Sequence, residues 1–132
     1  MRAGQVAADI GFGGGVGLRL LLEQVGPKGH VNGVELSLTM LKASERRYRA
    51  ACAEGRLALQ AGSIGDLPLE NESLDGLITV NTAYFVEDLE GAFREIARVL
   101  RPSERAVVGV ADPEANGFDA LYVLWFQASV GR

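Results

Sequence analysis

The sequence predicts a three-layer α/β domain built on a mainly parallel sheet. Short apolar runs alternate with amphipathic helical stretches, and five glycines (Gly11, Gly13, Gly14, Gly15 and Gly17) separate the first run from the first helical stretch. Such alternation implies parallel pairing, because parallel neighbours need long, right-handed crossover connections. The 132 residues suit one domain, with no linker, repeat or low-complexity tract dividing them.

Gln5 to Ile10 is the first strand, and Val16 to Val25 is a helix whose Leu18, Leu21, Leu22 and Val25 recur at helical spacing. Gly26-Pro27 stops it. Val31 to Glu35 is the second strand. Ser37 then caps a helix with Leu38, Leu41, Tyr48 and Cys52 on one side and Lys42, Glu45, Arg46 and Arg49 on another. Leu57 to Ala61 is the third strand, followed by a turn-rich connection from Ser63 to Ser73 that contains Pro68.

Leu74 to Val80 is the fourth strand. Asp88 caps a helix in which Leu89, Phe93, Ile96 and Leu100 recur, and Pro102 ends it before a fifth strand at Ala106 to Val110. Asp112-Pro113 reads as a cap and first turn, and Phe118, Leu121, Tyr122, Trp125 and Phe126 as the apolar stripe of a last helix.

Composition narrows the function. Hydrophobic residues make up 48% and charged residues 23%, an ordinary globular balance. Thirteen basic against 17 acidic residues give a net charge of −4 without long runs of either sign, so nucleic acid is not a favoured partner. Cys52 is the single cysteine, which rules out a disulfide within the chain. No signal peptide or membrane span is evident, and the expected location is the cytoplasm. His30 has no second histidine with which to share a metal, so no metal site is expected.

In such sheets, ligands sit at the carboxyl ends of the strands, where the glycine cluster, Glu35, Ser63 and Asn81 all fall. Glycines there allow a tight turn and a close approach to a ligand. The dinucleotide pattern G-x-G-x-x-G fails, because its third glycine position falls on Val16, Leu18 or Leu20. Glu35 can accept hydrogen bonds from two adjacent ribose hydroxyls; it can equally be a solvated carboxylate ahead of the Ser37 cap.

The spacing Asp9-x-Gly11-x-Gly13-x-Gly15 resembles the first motif of class I S-adenosylmethionine-dependent methyltransferases. The resemblance continues through Glu35-Leu36-Ser37, Asp66-Leu67-Pro68-Leu69, Leu74-Asp75 and the stretch from Glu95 to Pro102, and it points to the small-molecule, type 11-like branch. It implies a Rossmann-like sheet of order 3-2-1-4-5. It also places Gly11, Gly13 and Gly15 against the methionine part of S-adenosylmethionine and Glu35 on the ribose, with Phe12, Leu36, Ile64 and Asn81 as neighbours.

By the same resemblance Asp9 orients the loop and the methionine ammonium; a carboxylate that fixes loop amides is an equal reading. Ser63 stands where the family usually has an adenine-binding aspartate, and a hydroxyl there is a weaker acceptor. Ser103-Glu104 replaces the usual paired glycines after Arg101-Pro102. The family's helices before strand one and its strands six and seven are expected to be absent from this chain.

The implied reaction is methyl transfer to a small-molecule acceptor. No residue is assigned as a base: Asn81, Tyr84, Glu87 and Asp88 follow strand four, but each has an ordinary structural reading. Asn81-Thr82-Ala83-Tyr84 lacks both prolines of the amino-methyltransferase Asn-Pro-Pro-Tyr motif. The competing functions are a noncatalytic cofactor-binding or interaction module and, less favoured, a nicotinamide-dependent oxidoreductase. A homodimer through the exposed sheet edge or the C-terminal aromatic helix is the expected assembly.

Overall fold

The computed structural model describes residues 2–80, 88–111 and 121–127. Their order is β1 (Val6–Ile10), α1 (Val16–Val25), β2 (His30–Glu35), α2 (Leu38–Arg47), α3 (Arg49–Ala53), β3 (Leu57–Ala61), β4 (Leu74–Val80), α4 (Leu89–Val99), β5 (Leu100–Ala111) and β6 (Leu121–Gln127). The sheet runs β3-β2-β1-β4-β5-β6, parallel through β5, with β6 antiparallel to β5. The order 3-2-1-4-5 therefore holds, and a sixth strand extends it.

That strand corrects the expected last helix. Leu121, Tyr122, Trp125 and Phe126 lie in β6, where Trp125 pairs with Val107 and Phe126 with Ala106. A seven-residue run with hardly a polar break carries no period that separates strand from helix, and antiparallel pairing on the open β5 edge decides it. The proposed aromatic-helix dimer contact falls with the helix. The sheet thus gains an edge strand beside β5 that the sequence reading did not expect. Asp112, Pro113 and Phe118 lie outside the described residues.

The sheet separates two apolar layers because successive strand residues face opposite sides. Ala8, Ile10 and Val34 face α4, packing with Leu77, Ile96 and Val99. Ala7 and Val31 face the other helices, packing with Leu18, Val25 and Leu41. All four apolar residues expected to anchor α1 are buried. Gly33 in β2 lets the α1-side layer close onto the strand: a Cβ there would press on Leu59, Phe12 and Leu18 at 2.7, 3.0 and 3.1 Å.

Helix boundaries follow the expected chemistry. Ser37 Oγ accepts from the Met40 amide at 3.3 Å, and Asp88 Oδ1 accepts from the Gly91 amide at 2.9 Å. Two expected core residues sit at the first position of these helices and remain out of the core: Leu38 is 64% exposed and Leu89 44%. At the other end of α4 the chain enters β5 directly, earlier than the sequence predicts. Leu74 pairs with Leu100 and Gly76 with Arg105, so Pro102 falls in the irregular stretch between them, where its missing amide breaks no regular ladder.

Candidate functional site: a cleft at the carboxyl ends of the strands

The β1–α1 loop begins where β1 stops, and its glycines are demanded by geometry. Gly11, Gly13 and Gly15 have φ of 70, 54 and 89°, which is left-handed backbone. The alternating amides turn inward: Gly11 donates to the Val34 carbonyl (2.6 Å), Gly13 to Glu35 Oε1 (2.9 Å) and Gly15 to the Phe12 carbonyl (3.0 Å). These three donors are used within the protein, which leaves the loop poorly suited to cradling a pyrophosphate. The structure thereby gives a physical reason for the failed dinucleotide pattern.

Glu35, at the end of β2, binds two separate segments. Its Oε1 takes the Gly13 amide and its Oε2 the Ser37 amide, each at 2.9 Å. An ionised carboxylate offers about four acceptor positions, so further donors can still be received. Glu35 thus ties the glycine loop to the start of α2.

Asp9 has a different environment. It is 4% exposed, and its carboxylate packs so tightly on Gly17 that a Cβ there would collide with it. Burial pushes the Asp9 carboxyl up to about 7, and the Glu35 charge adds to the rise. A neighbouring cation would reverse both effects.

On the far side, Gly62 allows the chain after β3 to fold back, because a Cβ there would meet Pro68 at 2.8 Å and Val34 at 3.0 Å. Ser63 Oγ accepts from the Gly65 amide at 3.2 Å and its carbonyl from the Asp66 amide at 3.1 Å. The hydroxyl proton remains available. This turn is secured from α4: Glu95 Oε2 accepts from the Leu67 amide (2.7 Å), and Arg98 donates to the Leu67 and Leu69 carbonyls at 3.0 and 2.9 Å. Arg98 also pairs with Glu95 at 2.6 Å, which holds the Glu95 carboxyl below its ordinary range.

Together these segments enclose a cleft of about 980 Å³. Asp9, Gly11, Phe12, Gly13, Gly15, Glu35, Leu36, Ser63 and Ile64 all line it, joined by Val16, Leu20, Ile78 and Val80. The Phe12 ring is mostly withdrawn into the core, with 6% of the residue exposed. Asn81, Tyr84 and Glu87 lie outside the described residues, and Asp88 is accounted for as a cap. Among the described lining residues, Asp9 and Glu35 are acidic and none is basic. Such a site favours a ligand with positive charge and hydroxyls over one with phosphates.

Arg47 and Tyr48 escaped the sequence reading. The Tyr48 hydroxyl donates to the Gly15 carbonyl at 2.7 Å and Arg47 Nη1 to the Gly14 carbonyl at 3.3 Å. Tyr48 stood out in the sequence only as one apolar position on a helix face. Its partner lies 33 residues away in the chain, and no local pattern reveals such a bond.

Fold and cleft define an α/β domain with a large cleft over a glycine loop at the carboxyl ends of its parallel strands. A family model described as a methyltransferase domain matches residues 8–108, and the chain belongs to this type 11 family of class I S-adenosylmethionine-dependent methyltransferases. A protein of transposon TN4556 from Streptomyces fradiae is 37% identical over 89% of this chain and 33% of its own length. Demethylmenaquinone methyltransferase from Symbiobacterium thermophilum is 33% identical over 94% of this chain and 50% of its own. Arsenite methyltransferase from Halobacterium salinarum is 31% identical over 82% and 27%. The chain thus spans half or less of the length of these relatives.

The fold is shared with a SAM-dependent methyltransferase from Aquifex aeolicus (TM-score 0.77, 19% identity, 88% of this chain and 61% of that one). An arsenic(III) S-adenosylmethionine methyltransferase from Chlamydomonas reinhardtii is also similar in fold (TM-score 0.76, 24% identity, 82% and 39%).

Proposed function

We propose that this domain binds S-adenosylmethionine in the cleft and serves methyl transfer to an uncharged organic small molecule. The observation that carries the reading is the pair of carboxylates, Asp9 and Glu35, in a cleft with no basic lining residue among those described. S-adenosylmethionine supplies a methyl group already activated on a sulfonium. It has a ribose diol and an ammonium but no phosphate, which matches the donor and acceptor set on the page.

In this reading Glu35 accepts the ribose hydroxyls on the lone pairs left by Gly13 and Ser37, and Asp9 receives the ammonium. Leu36 and Ile64 flank the adenine, with the Ser63 hydroxyl at its edge, and the Gly11–Gly15 loop runs beside the methionine part. Val16, Leu20, Ile78 and Val80 form an aliphatic wall against which the acceptor is held. Transfer to an activated methyl group depends mainly on distance and alignment, so the wall's task is to orient the acceptor and exclude water. No side chain is assigned as a base.

The relatives' names point to two kinds of acceptor, a quinone and arsenite. Arsenite is thiol-seeking, and Cys52 is the single cysteine of the sequence, so the aliphatic wall fits an organic ring better. No described helix is long and apolar enough to cross a membrane. Its association into dimers would use a sheet edge.

Calorimetry with S-adenosylhomocysteine tests the cofactor, and transfer of labelled methyl to a panel of hydroxylated and quinone acceptors tests the reaction. Saturable binding of S-adenosylhomocysteine in preference to NADH is expected. Tight binding without transfer to any acceptor would favour a noncatalytic module.

A further inference from the structure

The end of α2 and the residue after it act on the glycine loop from outside the cleft. Tyr48 reaches the Gly15 carbonyl at 2.7 Å, shorter than the 3.3 Å contact that the Arg19 amide makes with the same oxygen. Arg47 reaches the preceding carbonyl, Gly14, and its guanidinium lies 5.5 Å from the centre of the Tyr48 ring. Gly15 is at φ 89°, and a Cβ on it would stand 3.2 Å from the Tyr48 ring and 3.3 Å from Ser44 Oγ. The loop is therefore packed and bonded against this corner at consecutive peptides.

Peptide planarity gives that contact a consequence in the cleft. In a trans peptide the carbonyl and the following N–H point in opposite directions. Holding the Gly15 carbonyl toward Tyr48 turns the Val16 N–H to the opposite side, and Val16 lines the cleft. Gly15 is also the cap of α1 and offers no side chain for that task, so the orientation of this peptide is set by the Arg19 amide within the helix and by the shorter Tyr48 bond from outside it.

We propose that Tyr48, assisted by Arg47, is a positioning residue for the methionine half of the cofactor, holding the Gly15–Val16 peptide so that the first amides of α1 face the ligand. The inference rests on the cofactor reading above. It assigns Tyr48 no contact with the ligand; its effect passes through the loop. An apolar ring that merely filled the core would need no hydroxyl, and the hydroxyl makes the shortest contact at this corner.

The test compares two ligands that share the nucleoside and differ in the methionine part. Affinities of the full chain for S-adenosylhomocysteine and adenosine are measured by calorimetry, before and after Tyr48→Phe, which keeps the ring. The expected result is roughly a fivefold or greater loss for S-adenosylhomocysteine, with adenosine within about twofold. Equal affinities in both proteins, or a parallel loss for both ligands, would overturn the positioning role while leaving the cofactor reading intact. Failure of the unsubstituted chain to bind either ligand would overturn both. Should Tyr48→Phe fail to fold, Arg47→Gln at an exposed position carries the same comparison, with a smaller loss confined to S-adenosylhomocysteine. No such loss would then overturn the role.

Discussion

The two loops that wall the cleft are held by different means. The Gly11–Gly15 loop is fastened mainly through its own backbone: amides of Gly11 and Gly13 go to β2, and carbonyls of Gly14 and Gly15 go to Arg47 and Tyr48. The 62–73 connection is held chiefly by two side chains of α4, Glu95 and Arg98, which capture the backbone of Leu67 and Leu69. Distributed fastening fixes the glycine loop to β2 on one side and to the end of α2 on the other. Concentrated fastening leaves the middle of the second loop to one ion pair, while backbone bonds of Gly62, Glu72 and Ser73 secure its ends.

Glu35→Ala should have the largest effect, because Glu35 belongs to the distributed side yet touches two segments at once. Loss of charge-assisted bonds should weaken S-adenosylhomocysteine binding by about 1.5 to 3 kcal/mol, roughly tenfold or more. Because the Gly13 and Ser37 amides also lose their acceptor, the melting temperature should fall too. Unchanged affinity in calorimetry would remove Glu35 from the ribose site.

Arg98→Met tests the concentrated side. It leaves a half-buried Glu95 without its partner and frees two carbonyls, for an expected loss of about 2 kcal/mol in urea unfolding. The pair Glu95→Gln with Arg98→Met should cost less than the two separate losses added together. Strict additivity would mean that the two side chains do not act as a unit.

Asp9→Asn should shift stability in a pH-dependent manner. Its carboxyl titrates near 7 when folded against an ordinary 3.8, so the folded protein holds a proton that the unfolded chain has released. Stability from this group is complete below about pH 4 and is lost as pH rises to about 7. At pH 8 Asp9→Asn should therefore be more stable than the original by about 1 to 2 kcal/mol, with the advantage gone near pH 4. An advantage that persists unchanged at pH 4 would contradict the raised carboxyl. Ser63→Ala should be the mildest change, about 0.5 to 1 kcal/mol in cofactor affinity, since its oxygen already serves the Gly65 amide. A tenfold loss would make Ser63 a principal adenine contact.

What could be read in the sequence follows the same division. The glycine loop was legible because left-handed backbone demands glycine, and Ser37 and Asp88 were legible because capping is local. Contacts between distant residues were not. Arg98 stands out only as part of the Glu95 to Pro102 stretch that carries the family resemblance, and Tyr48 only as one apolar ring on a helix face. Their partners are backbone carbonyls that no residue type marks. The last element failed for another reason: the run from Leu121 to Gln127 has no alternation of polar and apolar residues, and the neighbouring β5 edge gave it a strand's geometry.

The burial of Asp9 makes the cleft an exchanger of charge. With the Asp9 carboxyl raised to about 7 by burial and Glu35, the proposed placement of the ligand's ammonium beside it would drive a proton from this carboxyl into the solvent. Ligand uptake would then be accompanied by proton release, and the heat measured for binding should vary with the ionisation heat of the buffer. Lowering the pH would weaken the ligand's hold by mass action alone, with every hydrogen bond of the loop still in place.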